Sequence, residues 1–93
     1  MLLAELLYFE SEGNYVKVYT ATGEYRFRST IAAVESTLKK EGFLRIHKGF
    51  LVNQAAIRLF GADAVELTDG NSLPVGKTYA EDAKQQFMRY LRS

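Results

Sequence analysis

Three basic side chains fall within four residues at Arg45-Ile46-His47-Lys48, with Gly49 behind them. In an extended chain Arg45 and His47 point the same way, while Leu44 and Ile46 point to the core. Lys48 stands at the exit, beside a flexible glycine. Such a set offers donors to phosphate oxygens and base edges. A solvated strand face, with His47 hydrogen-bonded to nearby backbone, accounts for it as well. Lys77 lies between Gly76 and Thr78, just before an expected helix start. A cation there is disfavoured by about 0.3–1 kcal/mol, unless lysine and free amides hold an anion together; an ordinary loop lysine is the alternative. Asn14 after Gly13 is first a turn signal and second an amide able to read a base. Arg26 and Arg28 share a strand face and either extend the basic set or serve as surface charge.

Enzymatic chemistry finds less support. One histidine excludes a multi-histidine metal site, and the absence of cysteine removes any thiolate nucleophile or ligand. Glu10 and Glu12 share a strand face, as a paired-carboxylate mechanism needs, yet two solvated glutamates beside a turn explain them more simply. Neither a nucleophile elbow nor a phosphate loop occurs: Gly76-Lys77-Thr78 lacks the glycine that would begin the loop. The expectation is a protein without catalysis, metal or cofactor. Tyr15 and Tyr19 share a face with Lys17 and could stack bases of a single strand, whereas Tyr25 beside Phe27 reads as core.

The elements that must position these residues are mostly strands. Glu5–Glu10 is a short apolar run ended by Gly13-Asn14. Tyr15–Thr20 is rich in β-branched and aromatic residues, Ala21-Thr22-Gly23 is a turn, and Glu24–Arg28 alternates again, giving a hairpin with one packed and one polar face. Ser29 or Thr30 can cap a helix on which Ile31, Val34 and Leu38 share a stripe, and Gly42 stops it. Phe43–His47, Phe50–Val52, Ile57–Phe60 and Ala64–Thr68 follow as strands. Asp69-Gly70-Asn71-Ser72 turns the chain into Leu73-Pro74-Val75, which Pro74 puts at a sheet edge or end. Thr78 and Glu81 have capping-box spacing for a last helix with Tyr79, Ala83, Phe87 and Tyr90 on one face. The class is mainly β: about seven short strands, one helix in the middle and one at the C-terminus.

Ninety-three residues, 47% hydrophobic and 25% charged, make one globular domain. No run reaches the length of a membrane span. Met1–Leu7 lacks the basic start of a signal peptide and carries Glu5. The net charge of +1 and a pI near 8.0 are a weak footprint for a nucleic-acid binder, so placement of charge, not its total, must carry that function.

The order of motifs is similar to LytTR domains. Leu7–Val16 resembles their "YIEAxGNYV" opening and Arg28-Ser29-Thr30-Ile31 their "R-x-T-L" helix entry. Phe43–Asn53 resembles "F-x-R-I-H-R-S-Y-L-V-N", and Asp69-Gly70 with Leu73–Tyr79 resembles "DG…LPVSRRY". The resemblance implies a fold of small stacked antiparallel sheets. It also implies a cytoplasmic output domain of a bacterial response regulator in a two-component system. Loops, not a recognition helix, would enter successive major grooves of double-stranded DNA. Carried across by position, the DNA-binding residues are Asn14, Arg45, His47, Lys48 and Lys77, with Arg28 a flanking phosphate contact. A homodimer on paired half-sites is expected, with no membrane partner.

Two positions depart from the pattern: Lys48 replaces arginine, and Gly76-Lys77 replaces Ser-Arg. Lysine keeps the charge without the bidentate fork that reads guanine, so phosphate anchoring survives better than base reading. Family members also carry a strand before the segment matching Leu2–Glu10, so residues 1–93 are expected to be a LytTR-like domain without its first strand. A second function class stays open, a protein-interaction or dimerisation module using exposed strand edges.

Overall fold

The computed structural model describes residues 3–92; Met1 and Leu2, which open the apolar run, and Ser93 lie outside them. Eight strands and two helices follow one another as β1 (Leu6–Glu12), β2 (Tyr15–Thr20), β3 (Glu24–Arg28), α1 (Ile31–Leu38), β4 (Phe43–His47), β5 (Phe50–Asn53), β6 (Ile57–Phe60), β7 (Ala64–Leu67), β8 (Ser72–Pro74) and α2 (Lys77–Arg92). They build a five-stranded antiparallel sheet in the order β3-β2-β1-β5-β4 and a three-stranded one in the order β6-β7-β8. Pro74 is on an edge strand, where its missing N–H costs no ladder bond.

Both faces of the large sheet are covered except at β3, and strand alternation feeds two cores. Toward α1 lie Leu6, Phe9, Val16, Val18 and Leu51, with Ile31 and Val34 supplied by the helix. Toward the small sheet and α2 lie Tyr8, Leu44, Ile46 and Val52, packed with Val65, Leu67, Ala83 and Phe87. Local chemistry sets the ends of α1. Thr30 Oγ1 accepts from Ala33 N–H at 3.1 Å, and after a 3₁₀ turn over Lys39–Glu41 the chain leaves through Gly42 at φ 83°, a conformation that favours glycine.

Two expectations need correction. Tyr25 and Phe27 do not form a packed hairpin face: they are 51% and 39% exposed, and every residue of β3 is exposed. The reason is sheet order. β3 is the outer strand, and α1 packs chiefly on β1, β4 and β5. The final helix also opens two residues earlier than capping-box spacing suggests, at Lys77. Gly76 C=O accepts from Tyr79 N–H at 3.0 Å and Ala80 N–H at 2.9 Å, which makes Gly76 the boundary and puts Thr78 inside the first turn.

Candidate nucleic-acid interface

The β1–β2 turn begins at Gly13, whose φ of 60° suits the first central position of a II′-type hairpin turn, a conformation in which a Cβ is strained. The exposed Asn14 follows it at the tip. Tyr15, the next residue, pairs with Arg28, so Arg28 ends β3 at the same end of the sheet. The β4–β5 turn reaches that end too: Ser11 N–H donates to Gly49 C=O at 2.9 Å, just beyond the Glu10–Phe50 pair. Thus Asn14, Arg28 and Lys48, drawn from three connections, share one end of the five-stranded sheet.

Lys77 arrives by a different route. Gly76 N–H donates to Ile46 C=O at 2.8 Å, which lays the start of α2 against the end of β4. The approach is close: a Cβ on Gly76 would come within 3.5 Å of His47 Cδ2 and 3.3 Å of Tyr79 Cδ2. Lys77 therefore begins its helix beside His47. Lys48 and Lys77 are exposed, and neither has an acidic partner among the described residues. A free cation at a helix N-terminus adds its charge to unpaired amides that already attract anions.

The bulge between Arg45 and His47 breaks the alternation expected for them. His47 turns its ring edge-on to Phe50, with centroids 5.6 Å apart. Its Nδ1 accepts from Gly49 N–H at 3.0 Å, so the neutral ring carries its proton on Nε2 as a donor. Arg45 turns toward the helices. Nε donates to His47 C=O at 2.8 Å, Nη1 to Glu35 Oε1 at 2.7 Å and Nη2 to Lys48 C=O at 2.5 Å. Its guanidinium also sits 5.4 Å over the Tyr79 ring. A side chain that commits three of its five N–H groups to its own fold holds the turn carrying Lys48 in place.

Sequence reasoning did not find Glu35 or Tyr79 as parts of this arrangement. Glu35 is ten residues from Arg45, on a different element, and no spacing rule joins them. The bulge that turns Arg45 toward them leaves no composition signal either.

On the strands, Lys17, Arg26 and Arg58 are neutralised. Glu12 takes Arg26 at 2.9 Å and Lys17 at 3.6 Å, Lys17 also reaches Glu24 at 3.9 Å, and Arg58 pairs with Glu66. The hydrogen bond from Arg26, opposed by slight desolvation, holds the Glu12 carboxyl below the usual carboxylate range. Glu10 accepts the Tyr19 hydroxyl at 2.9 Å. The two glutamates thus serve separate partners and do not face each other as an acid–base pair. Among the described residues Lys40 and Lys84 also lack an acid partner, so freedom from pairing is not what marks the site; gathering at one sheet end is. Tyr15 is covered on one side by Arg26 at 5.1 Å and Tyr19 stacks on Tyr8 at 4.3 Å, so the two rings do not form a shared stacking platform. Among the described residues no cluster of three or more potential metal ligands occurs, and no helix is long and apolar enough to cross a membrane.

Comparison with known proteins agrees with this geometry. The family model of the LytTr DNA-binding domain matches residues 1–88. The sensory transduction protein LytT of Bacillus subtilis is 28% identical over 86 residues, covering 87% of this chain and 36% of that protein. The CO-responsive transcriptional regulator RcoM of Rhodospirillum rubrum is 30% identical over 80 residues, covering 80% of this chain and 34% of its own length. The chain thus spans about a third of these curated relatives. A solved LytTr DNA-binding domain from Bacillus cereus superposes with a TM-score of 0.86 at 21% identity, over 92% of this chain and 84% of that one, which establishes the fold.

Proposed function

Because the chain belongs to the LytTr family of DNA-binding domains, we propose that it binds double-stranded DNA sequence-specifically, as the cytoplasmic output domain of a bacterial transcription regulator. The observation that carries this reading is the backbone bond that lays the start of α2, with Lys77, against the end of β4, which leads into Lys48. The two lysines are 29 positions apart in sequence, belong to different connections, and are brought to one edge by the Gly76–Ile46 backbone bond. Opposing no acid, they are available to phosphate.

The roles follow from chemistry at each position. Lys48 and Lys77 anchor phosphates, and Arg28 does so on the flank. The Asn14 amide and the His47 Nε2–H are the donors suited to base edges in a major groove. Arg45 serves recognition by fixing the 47–49 turn. Successive connections along one sheet end favour loops entering successive major grooves on one face of the duplex. Two copies on paired half-sites would extend that contact. Signal input would come from another part of a response regulator, with no membrane partner and no catalytic step.

The test is selection from a randomised pool of short duplexes, followed by fluorescence anisotropy of the enriched duplexes at rising salt. The expected result is enrichment, with log affinity falling by about 0.9 per neutralised phosphate for each log unit of salt. A folded sample with no DNA affinity at low salt would overturn the proposal.

A further inference from the structure

The outer edge of β3 is self-complementary, and we propose that it is where a second copy of this chain docks, extending the large sheet across a two-fold axis. The Thr20 N–H to Gly23 C=O bond of 2.8 Å closes the β2–β3 hairpin. From that bond, with Tyr25 opposite Val18 and Phe27 opposite Val16, antiparallel alternation turns the backbone groups of Glu24, Arg26 and Arg28 outward. Every residue of β3 is exposed, and neither a proline nor a bulge interrupts it; its charged residues Glu24, Arg26 and Arg28 discourage pairing with an arbitrary strand and favour a complementary one.

The sequence of the strand selects the register. Antiparallel self-pairing centred on Arg26 sets Glu24 of each copy opposite Arg28 of the other, twice over by symmetry. It also sets Tyr25 opposite Phe27 on the other face. Both are favoured cross-strand pairs. The two central Arg26 side chains are each already bound to Glu12 of their own chain. Sliding the centre to Phe27 would instead oppose Arg26 and Arg28. Phe27 rims an open apolar pocket of ≈ 360 Å³ whose other walls include Leu6, Phe9, Val34 and Leu38; Tyr25 of the second copy would lie at its mouth.

The geometry has a further consequence. Arg28 marks the end of β3 that carries the candidate DNA contacts, so antiparallel pairing points the two DNA edges in opposite directions. It also puts Glu24 of one copy beside Arg28 of the other. This dimer is therefore distinct from two copies side by side on paired half-sites, and it can be tested without DNA.

Sedimentation equilibrium of the 93-residue chain, without DNA and over a wide concentration range, tests the proposal. A concentration-dependent dimer is expected. Glu24→Lys or Arg28→Glu alone should raise its dissociation constant about tenfold, because two attractive pairs become repulsive. Glu24→Lys with Arg28→Glu in one chain should restore dimerisation, because the swapped charges again oppose each other. Circular dichroism of each variant confirms that the fold is intact. A strictly monomeric parent would overturn the proposal. So would a dimer indifferent to both single changes, or single defects that the double change does not rescue.

Discussion

Tyr25-Arg26-Phe27-Arg28 and Leu44-Arg45-Ile46-His47 carry the same alternation of apolar and basic residues, and the fold uses them in opposite ways. The first ends β3, the outer strand, where Phe27 is 39% exposed and Arg26 spends its charge on Glu12 across the sheet. The second is β4, also at an edge of the sheet, yet closed over by α2 and the small sheet so that Ile46 is fully buried. Its arginine is tied to the backbone of the following turn. Alternation sets which residues share a face. What lies against that face decides whether it becomes core, and whether the basic residues between become ion pairs, struts or contacts.

The largest expected difference between the two segments is in stability. Ile46→Ala should cost about 2–5 kcal/mol, the range for deleting a buried aliphatic side chain. Phe27→Ala should cost about 1 kcal/mol or less, because its ring is only partly covered. Urea unfolding of both variants measures the gap, and equal losses would mean that β3 is as well packed as β4.

Arg45→Lys should come next. Lysine keeps the charge but cannot span His47 C=O, Glu35 and Lys48 C=O together. DNA affinity should fall about tenfold while the salt slope stays that of the parent, since the phosphate contacts are displaced, not deleted. Anisotropy titrations at several salt concentrations separate the two quantities. A reduced slope would instead make Arg45 a phosphate contact in its own right.

A smaller effect belongs to alkaline pH. Burial pushes the Tyr8 hydroxyl up to about 12, with the neighbouring Tyr19 adding to the shift. Burial and the hydrogen bond to Glu10 raise Tyr19 to about 12 as well. Both folded values lie above the ordinary tyrosine value of 10.0, so their contribution to stability is fully present below that value and lost as pH rises toward 12. Urea midpoints across this window should decline in the parent and decline less in Tyr8→Phe.

Much of this was legible in the residues. Thr30 and Gly42 bound the middle helix as their types require, and Pro74 marked an edge strand. The Phe43–Asn53 stretch together with Leu73–Tyr79 pointed to the family. Asn53 shows what a motif residue can do apart from any ligand: its Nδ2 donates to Leu6 C=O at 2.9 Å and its Oδ1 accepts from Ala55 N–H at 3.0 Å, fastening β5 to the start of β1. The exposure of Tyr25 was not legible, because an alternating strand reads the same in the middle of a sheet and at its edge. The start of α2 was misjudged by two residues because the bond that seats Gly76, to Ile46, joins segments far apart in sequence. The separate duties of Arg45 and His47 depend on a bulge, which no local pattern announced.

In the proposed complex, free cations on the loop edge, and not the paired ones on the sheet, meet the DNA. The salt dependence of binding for Lys48→Ala with Lys77→Ala, set beside Arg26→Ala, tests it most directly. The double variant should lower the slope of log affinity against log salt by about 1.8, two contacts at about 0.9 each, while Arg26→Ala leaves it unchanged. A folded double variant that keeps the parent's slope would contradict it.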